Sequence, residues 1–120
     1  MTPLEVAKEI EAKIHRLEDA RKKLKTYAED KAKTMVAYER EMAITIVGLK
    51  MGKSFFIEEE PVKCEQATNI KDVAKGICWK EALEFATAEA LYKNCIVQID
   101  AIQSEMNGWQ SINRFLDSTG

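Results

Sequence analysis

The sequence predicts a mainly α-helical protein: a long antiparallel helical hairpin, like a coiled coil, with a short β-hairpin near its turn. An apolar repeat with alternating steps of three and four residues runs from Ala7 to Leu49. A second strongly apolar stretch fills 77–116, and only two prolines and five glycines interrupt the 120 residues. A repeat of 3.5 residues held this long is typical of the seam between paired helices. The two long helices are predicted to pack antiparallel as a hairpin.

The first predicted helix covers residues 3–50. Pro3 suits the first turn of a helix, and Thr2 is the predicted N-cap. Residues 42–51 are almost all apolar, so this segment must be covered on more than one side, and Gly52 is predicted to end the helix. The predicted seam consists of Ala7, Ile10, Ile14, Leu17, Arg21, Leu24, Ala28, Lys31, Met35, Tyr38, Met42, Thr45 and Leu49.

Residues 53–66 are predicted to leave the helix as a small β excursion. The β-prone segment 54–57 predicts one strand, 58–61 a turn, and 62–64 a returning strand. A short helix is predicted over 69–75, capped by Thr68 or Asn69 and closed by Gly76. The last helix is predicted over 77–116, so that residues 1–120 form one elongated helical domain.

The last helix carries two apolar stripes. The first stripe consists of Cys78, Ala82, Phe85, Tyr92, Ile96, Ile99 and Met106. The second begins at Ala88, and since the first helix can cover only one stripe, the second predicts self-association into a dimer or higher oligomer. A dimer would form a four-helix bundle. The predicted oligomer interface consists of Leu91, Cys95, Ile102, Trp109, Ile112 and Leu116.

Composition narrows the class of protein. A net charge of −2 gives no general attraction to nucleic acid, so direct DNA binding is not expected. Three cysteines without a CxxC pair, beside one histidine, predict free thiols in a reducing cytoplasm rather than disulfides or a zinc site. No apolar run is long enough to cross a membrane. We therefore expect a cytoplasmic protein without membrane contact, cofactor or metal.

Catalytic motifs find little support. His15 lies in a charged helical turn, where a solvated histidine is the better interpretation. The sequence has no GxSxG, HExxH, P-loop or GxGxxG pattern. Glu81, Glu84 and Glu89 lie near one another around a helix, and a solvated charged face explains them without a metal. The sequence predicts that the protein is not an enzyme.

A polar and aromatic cluster near the C-terminus is the predicted binding site. A tryptophan can stack on a planar group, an arginine can meet an anion, and amides can donate and accept hydrogen bonds. Such groups bind nucleotides, and they also build polar oligomer interfaces; both interpretations remain open. The tryptophan points about 100° away from the polar side chains, so one pocket would need a second chain. The cluster consists of Asn107, Gly108, Trp109, Gln110, Asn113 and Arg114.

Two segments, GICWKE at 76–81 and NGWQSINRF at 107–115, together with the charged first helix, resemble short uncharacterised early-region proteins of phages and prophages of Gram-positive bacteria. The first segment is also interpreted as a hydrophobic plug near the hairpin turn. The resemblance implies a phage protein acting in the host cell cytoplasm, and it carries no catalytic residue over.

The function expected from this resemblance is a non-enzymatic phage accessory protein that works as an oligomeric binding protein. The preferred role is an anti-defence factor that sequesters a nucleotide immune signal or blocks a host immune protein. One alternative is an accessory factor for phage DNA replication or recombination. Another is a structural coiled-coil adaptor.

Overall fold

The computed structural model describes residues 1–64 and 66–119, so Glu65 in the predicted β excursion lies outside the described residues. The chain is mostly helical. Its contacts form two compact units: unit 1 is Met1–Ala28 with Leu91–Gly120, and unit 2 is Glu29–Ala90. The elements are α1 (Pro3–Lys50), β1 (Phe55–Ile57), β2 (Glu60–Val62), a 3₁₀ turn (Ala67–Asn69), α2 (Ile70–Ile77) and α3 (Trp79–Thr119).

Both ends of α1 are capped by their own sequence. The Thr2 N–H donates to a Glu5 carboxylate oxygen, and the Glu5 N–H donates to Thr2 Oγ1, each at 3.2 Å. This capping box confirms Thr2 as the N-cap. At the other end Gly52 has φ 78°, and the Lys53 N–H donates to the Gly48 carbonyl at 2.9 Å. This is a Schellman cap, and it confirms that Gly52 ends the helix.

In unit 1 the first half of α1 packs antiparallel against the second half of α3. Lys13 Nζ lies 2.8 Å from a Glu105 carboxylate oxygen, and the Cys95 thiol donates to the Ala20 carbonyl at 3.3 Å. Residues near the start of α1 therefore contact residues near the end of α3. The apolar cluster of this unit consists of buried Leu17, Ala20 and Ile102 with partly buried Ile99 and Met106.

Unit 2 has a larger apolar core, at the end of α1. Buried Thr45 places its hydroxyl 3.4 Å from the Cys78 sulfur, and the rings of Tyr38 and Phe85 stack with centroids 6.3 Å apart. Tyr38 precedes Thr45 in the chain, whereas its partner Phe85 follows Cys78. The contacting segments of unit 2 therefore also run antiparallel. The core consists of buried Met42, Leu49, Ile70, Ala74 and Cys78, with partly buried Tyr38, Ile46, Phe55, Cys64, Val73 and Ile77.

The β-hairpin is tighter than predicted. Phe55 pairs with Val62 and Ile57 with Glu60, so the turn contains only Glu58 and Glu59. Both have positive φ, 47° and 72°, as a type I′ turn requires. The four-residue turn predicted over 58–61 is therefore wrong. Proline at position 61 fits β2 because each strand of a two-stranded sheet is an edge strand.

Gly76 was predicted to close the short helix, and this prediction is wrong. It lies inside α2, which continues to Ile77. The Cys78 N–H donates to the Ala74 carbonyl, and Cys78 in turn accepts from the Ala82 N–H, so hydrogen bonds cross the junction into α3. A Cβ at Gly76 would lie 3.4 Å from Ile57 Cδ1. The Ile57 side chain of the hairpin therefore packs beside α2 at Gly76, where an added Cβ would make an ordinary van der Waals contact.

The predicted seam of α1 has the right period, but from Ala7 to Met35 every second position is displaced by one residue, whereas Met42 and Leu49 are buried as predicted. Ile14 and Met35 are exposed, whereas Lys13 and Thr34 beside them are partly buried. Hydrophobic spacing favours Ile14 and Met35, but polar contacts favour their neighbours. Lys13 can bury its aliphatic stem while its ammonium pairs with Glu105, and the Thr34 hydroxyl donates to the Asp30 carbonyl at 2.7 Å.

The two predicted stripes of α3 are mainly the two rows of one seam. Residues at steps of seven from Cys78, and at steps of seven from Ala88, together form the buried or partly buried side of α3. Cys95 and Ile102 were predicted to lie in an oligomer interface. They are buried inside unit 1 against α1, so this part of the interface prediction is corrected. A second apolar stripe on α3 therefore no longer supports self-association.

Candidate protein-interaction site

The predicted C-terminal site lies entirely on α3, but its members point to different sides. Trp109 and Asn113 are partly buried, on the side of α3 that carries the seam. Arg114 is exposed, about 140° around the helix from Trp109. One chain therefore does not bring the stacking group and the cation together, which agrees with the predicted need for a second chain.

The remaining members of that cluster are less constrained. Gln110 is partly buried, and Asn107 is exposed, its carbonyl accepting a hydrogen bond from Ser111 Oγ at 3.0 Å. A Cβ at Gly108 would have nothing within 4 Å. The close approach predicted at Gly108 is therefore not made by the chain itself. A ligand or second subunit there stays a prediction.

The predicted interface residues on α3 divide in the same way. Leu91 and Ile112 are exposed, and Trp109 and Leu116 are partly buried. Leu91 and Ile112 lie in different turns of a 41-residue helix. They do not form a continuous apolar surface by themselves.

A more continuous apolar surface lies on α1 in unit 2. We call this surface, which includes the cap residue Met51, the outer face. Val47 lies about 200° around the helix from buried Thr45, and the Met51 N–H still donates to the Val47 carbonyl at 3.1 Å. The outer face consists of Val36 (59% exposed), Ala43, Ile44 (49%), Val47 (56%) and Met51 (71%). Arg40 separates Val36 from the others on this side of α1. The contiguous apolar exposure of the remaining four residues marks binding surfaces.

A groove of about 420 Å³ runs beside the outer face. The Phe55 ring packs directly on Gly48, since a Cβ there would lie 2.5 Å from Phe55 Cζ and 2.9 Å from Phe55 Cε2. The Schellman cap turns the chain back after α1, so that the Phe55 ring stands against the helix where it has no side chain. The groove is lined by Ala43, Ile44, Val47, Gly48, Met51, Lys53 and Phe55.

Glu39 and Lys50 border this apolar surface, and Arg40 lies within it. Glu39, Arg40 and Lys50 are exposed, and none of them makes an ion pair with another described residue. Lys53 lies at the rim of the groove. An apolar centre with a polar rim is the usual anatomy of a protein interface.

The buried Thr45–Cys78 pair lies on the opposite side of α1 and is structural. Burial raises the pKa of the Cys78 thiol, the Thr45 hydrogen bond lowers it, and the carboxylates of Glu81 and Glu41 raise it further. The net effect keeps the thiol protonated. A buried, protonated thiol is a poor nucleophile and serves as a hydrogen-bonding core group.

The structure also places the histidine and the predicted hydrophobic plug that the sequence singled out. His15 is exposed, 3.8 Å from carboxylate oxygens of Glu11 and Glu18. Trp79, in the predicted plug, is 40% exposed with Lys80 Nζ 5.6 Å from its ring, whereas its neighbour Cys78 enters the core. Within residues 1–64 and 66–119, no cluster of three or more His, Cys, Asp or Glu could hold a metal. No helix of that part is long and apolar enough to span a bilayer.

Comparison with known proteins gives no family. No family model, curated protein or solved structure matches the chain. The resemblance to phage early-region proteins stays a prediction.

Sequence reasoning found part of the outer face and missed its boundaries. The apolar segment 42–51 was predicted to be covered on more than one side, whereas the chain itself leaves Ile44, Val47 and Met51 exposed. Val36 was not assigned to any apolar surface, because the charged residues between it and Ala43 hide the helical spacing. The role of Gly48 was missed too, since the contact with Phe55 depends on the path of the chain after Gly52.

Proposed function

We propose that this chain is a non-enzymatic binding protein that holds another helical protein surface on the outer face and in the adjoining groove. The observation that carries the proposal is the exposure of Val36, Ile44, Val47 and Met51 on one side of α1. An amphipathic helix laid on such a surface buries side chains at positions i, i+3, i+4 and i+7. The concave groove would take one or two of them.

The groove is suited to binding rather than to chemistry. Apart from Lys53, its lining side chains are aliphatic or aromatic. Such groups stabilise a complex by removing apolar surface from water, at about 25 cal/mol per Å². The charged rim would set orientation and reject wrong partners.

An anti-defence role also remains a proposal, with two modes. Blocking a host immune protein would use a protein-binding surface, and the outer face favours that mode. Sequestering a nucleotide would need Trp109 of one chain to meet Arg114 of another. Calorimetry of nucleotide binding by the wild type, Trp109→Ala and Arg114→Ala tests this second mode; loss of binding in both variants would support it.

The main proposal can be tested by placing a photo-crosslinking amino acid at Val47 in cells. The matched control is the same amino acid at Val97, an exposed valine on α3. We expect crosslinked protein products from position 47, whether to another protein or to another copy, and few from position 97. Equal yields at the two positions, or none at position 47, would contradict the proposal.

A further inference from the structure

We propose that the occupant of the outer face is a second copy of this chain, antiparallel to the first. The twofold axis would pass near residues 44 and 45. The inference rests on the proposed function, because it uses the same surface. The argument comes from the charges beside that surface and from the sizes of its side chains.

Glu39 and Lys50 lie on the same side of the outer face. They are eleven residues apart, close to three helical turns, so their directions around α1 differ by only about 20°. In an antiparallel helix pair, one side of a helix faces the same side of its partner. A twofold axis near residues 44 and 45 therefore places each Glu39 beside Lys50 of the second copy, and symmetry makes two such pairs.

A parallel arrangement lacks this match. Same-numbered residues would then lie at the same level, so Glu39 would lie level with Glu39 of the second copy and Lys50 level with Lys50. Arg40 lies about 100° around α1 from Glu39, along the middle of the outer face, so its side chain faces the second copy instead of joining the Glu39–Lys50 pairs. The exposed charges thus favour the antiparallel arrangement.

Side-chain sizes agree with the same axis. Val47 falls at the level of residues 42 and 43 of the second copy, so a valine on the outer face meets Ala43. Ile44 falls close to the axis, beside Ile44 of the second copy. Large side chains facing small ones interdigitate, whereas a row of large residues facing itself does not. The outer face is therefore self-complementary in charge at Glu39 and Lys50, and in size where Val47 meets Ala43.

Crosslinking through single cysteines tests the arrangement. The background is Cys64→Ser, since Cys64 is partly buried while Cys78 and Cys95 are buried. A short bis-maleimide should join Ile44→Cys chains into dimers. It should not join Val36→Cys chains, because the two cysteines would lie roughly 25 Å apart along the helix axis. Dimers from both variants would indicate a parallel pair and overturn the proposal.

Charge reversal tests the ion pairs. Glu39→Lys or Lys50→Glu should each weaken dimerisation roughly ten-fold at low salt, because two exposed pairs become repulsive. The double variant should restore it, and high salt should reduce the differences. Glu84→Lys, an exposed glutamate on α3, is the control. Sedimentation measures the dimerisation constant and circular dichroism checks folding; a double variant no better than either single one would overturn the proposal.

The two proposals fail in different ways. If the purified chain sediments as a monomer at tens of micromolar while position 47 still crosslinks to another protein in cells, the second-copy inference is wrong and the proposed function stands. If position 47 gives no crosslink and the chain is monomeric, both are wrong. If the chain is dimeric but Ile44→Cys gives no crosslinked dimer, the interface lies elsewhere and the inference is overturned.

Discussion

The two units show how differently a helical hairpin can be closed. Unit 1 uses only segments of α1 and α3, and its apolar cluster has three buried residues. Unit 2 adds α2 and the β-hairpin around the end of α1, and its cluster has five. Two helices can bury only a narrow row between them, whereas a third element encloses a core. The small elements close one side of α1 and leave the outer face bare.

The largest difference should appear when one leucine is removed from each unit. Leu49 is 2% exposed in the larger core, and Leu17 is 5% exposed in the thinner cluster. We expect Leu49→Ala to lower the free energy of unfolding by about 3–4 kcal/mol and Leu17→Ala by about 2 kcal/mol, because a thin cluster can collapse onto the gap. Urea denaturation measures both. Equal losses would mean that the two clusters are packed equally well.

Glycine-to-alanine changes should have opposite signs in the two units. Gly48→Ala puts a methyl group against the Phe55 ring, so we expect a loss of about 1–2 kcal/mol after the helix propensity gain. Gly108→Ala has open space on a helix, so we expect a gain of about 0.5–1 kcal/mol. Thermal unfolding gives the signs. A destabilised Gly108→Ala would show that something outside the chain approaches that position.

The turn of the β-hairpin should be open to improvement, with a smaller effect. Glu58 and Glu59 hold left-handed backbone conformations, which cost an L-residue about 1–2 kcal/mol each. Replacing the pair by Asn-Gly, the preferred type I′ sequence, should raise the free energy of unfolding by about 1 kcal/mol. The control is Lys63→Asn, in the exposed segment just after β2. No gain would indicate that the hairpin melts before the rest of unit 2.

The smallest expected effect concerns the ion pair of unit 1. The Lys13 hydrogen bond and charge, with a smaller effect from Arg16, lower the pKa of Glu105. A lowered pKa in the folded state adds stability above the unfolded-state pKa, and this is lost as pH falls through the folded-state value. Glu105→Gln should therefore flatten the acid side of the stability profile slightly. Glu84→Gln, at an exposed glutamate of unit 2, is the control, and identical profiles for the two variants would contradict the assignment.

The sequence predicted the helices well because their signals are local. Thr2 with Glu5 at one end of α1, and Gly52 at the other, act within a few residues. The period of the seam is also local. The exact row of residues that forms the seam is not a local property. Lys13 rather than Ile14 is partly buried because Lys13 pairs with Glu105, some ninety residues later in the chain.

The candidate site was harder to predict because it depends on what is left uncovered. Cys95 and Ile102 were predicted to contact a second chain, but α1 of the same chain covers them. Ile44 and Val47 looked like core, and the hairpin and α2 leave them exposed. Hydrophobicity predicts that a residue tends to be buried, but only the fold decides which ones the chain itself can bury.

The positions of the two tryptophans have a practical consequence. Trp79 belongs to unit 2 and Trp109 to unit 1. Each unit therefore carries its own natural fluorophore, and replacing either tryptophan with phenylalanine leaves a chain whose emission reports on the other unit alone. Comparing the denaturation curves of these two single-tryptophan proteins would show whether the long helices melt as one cooperative body or in two stages.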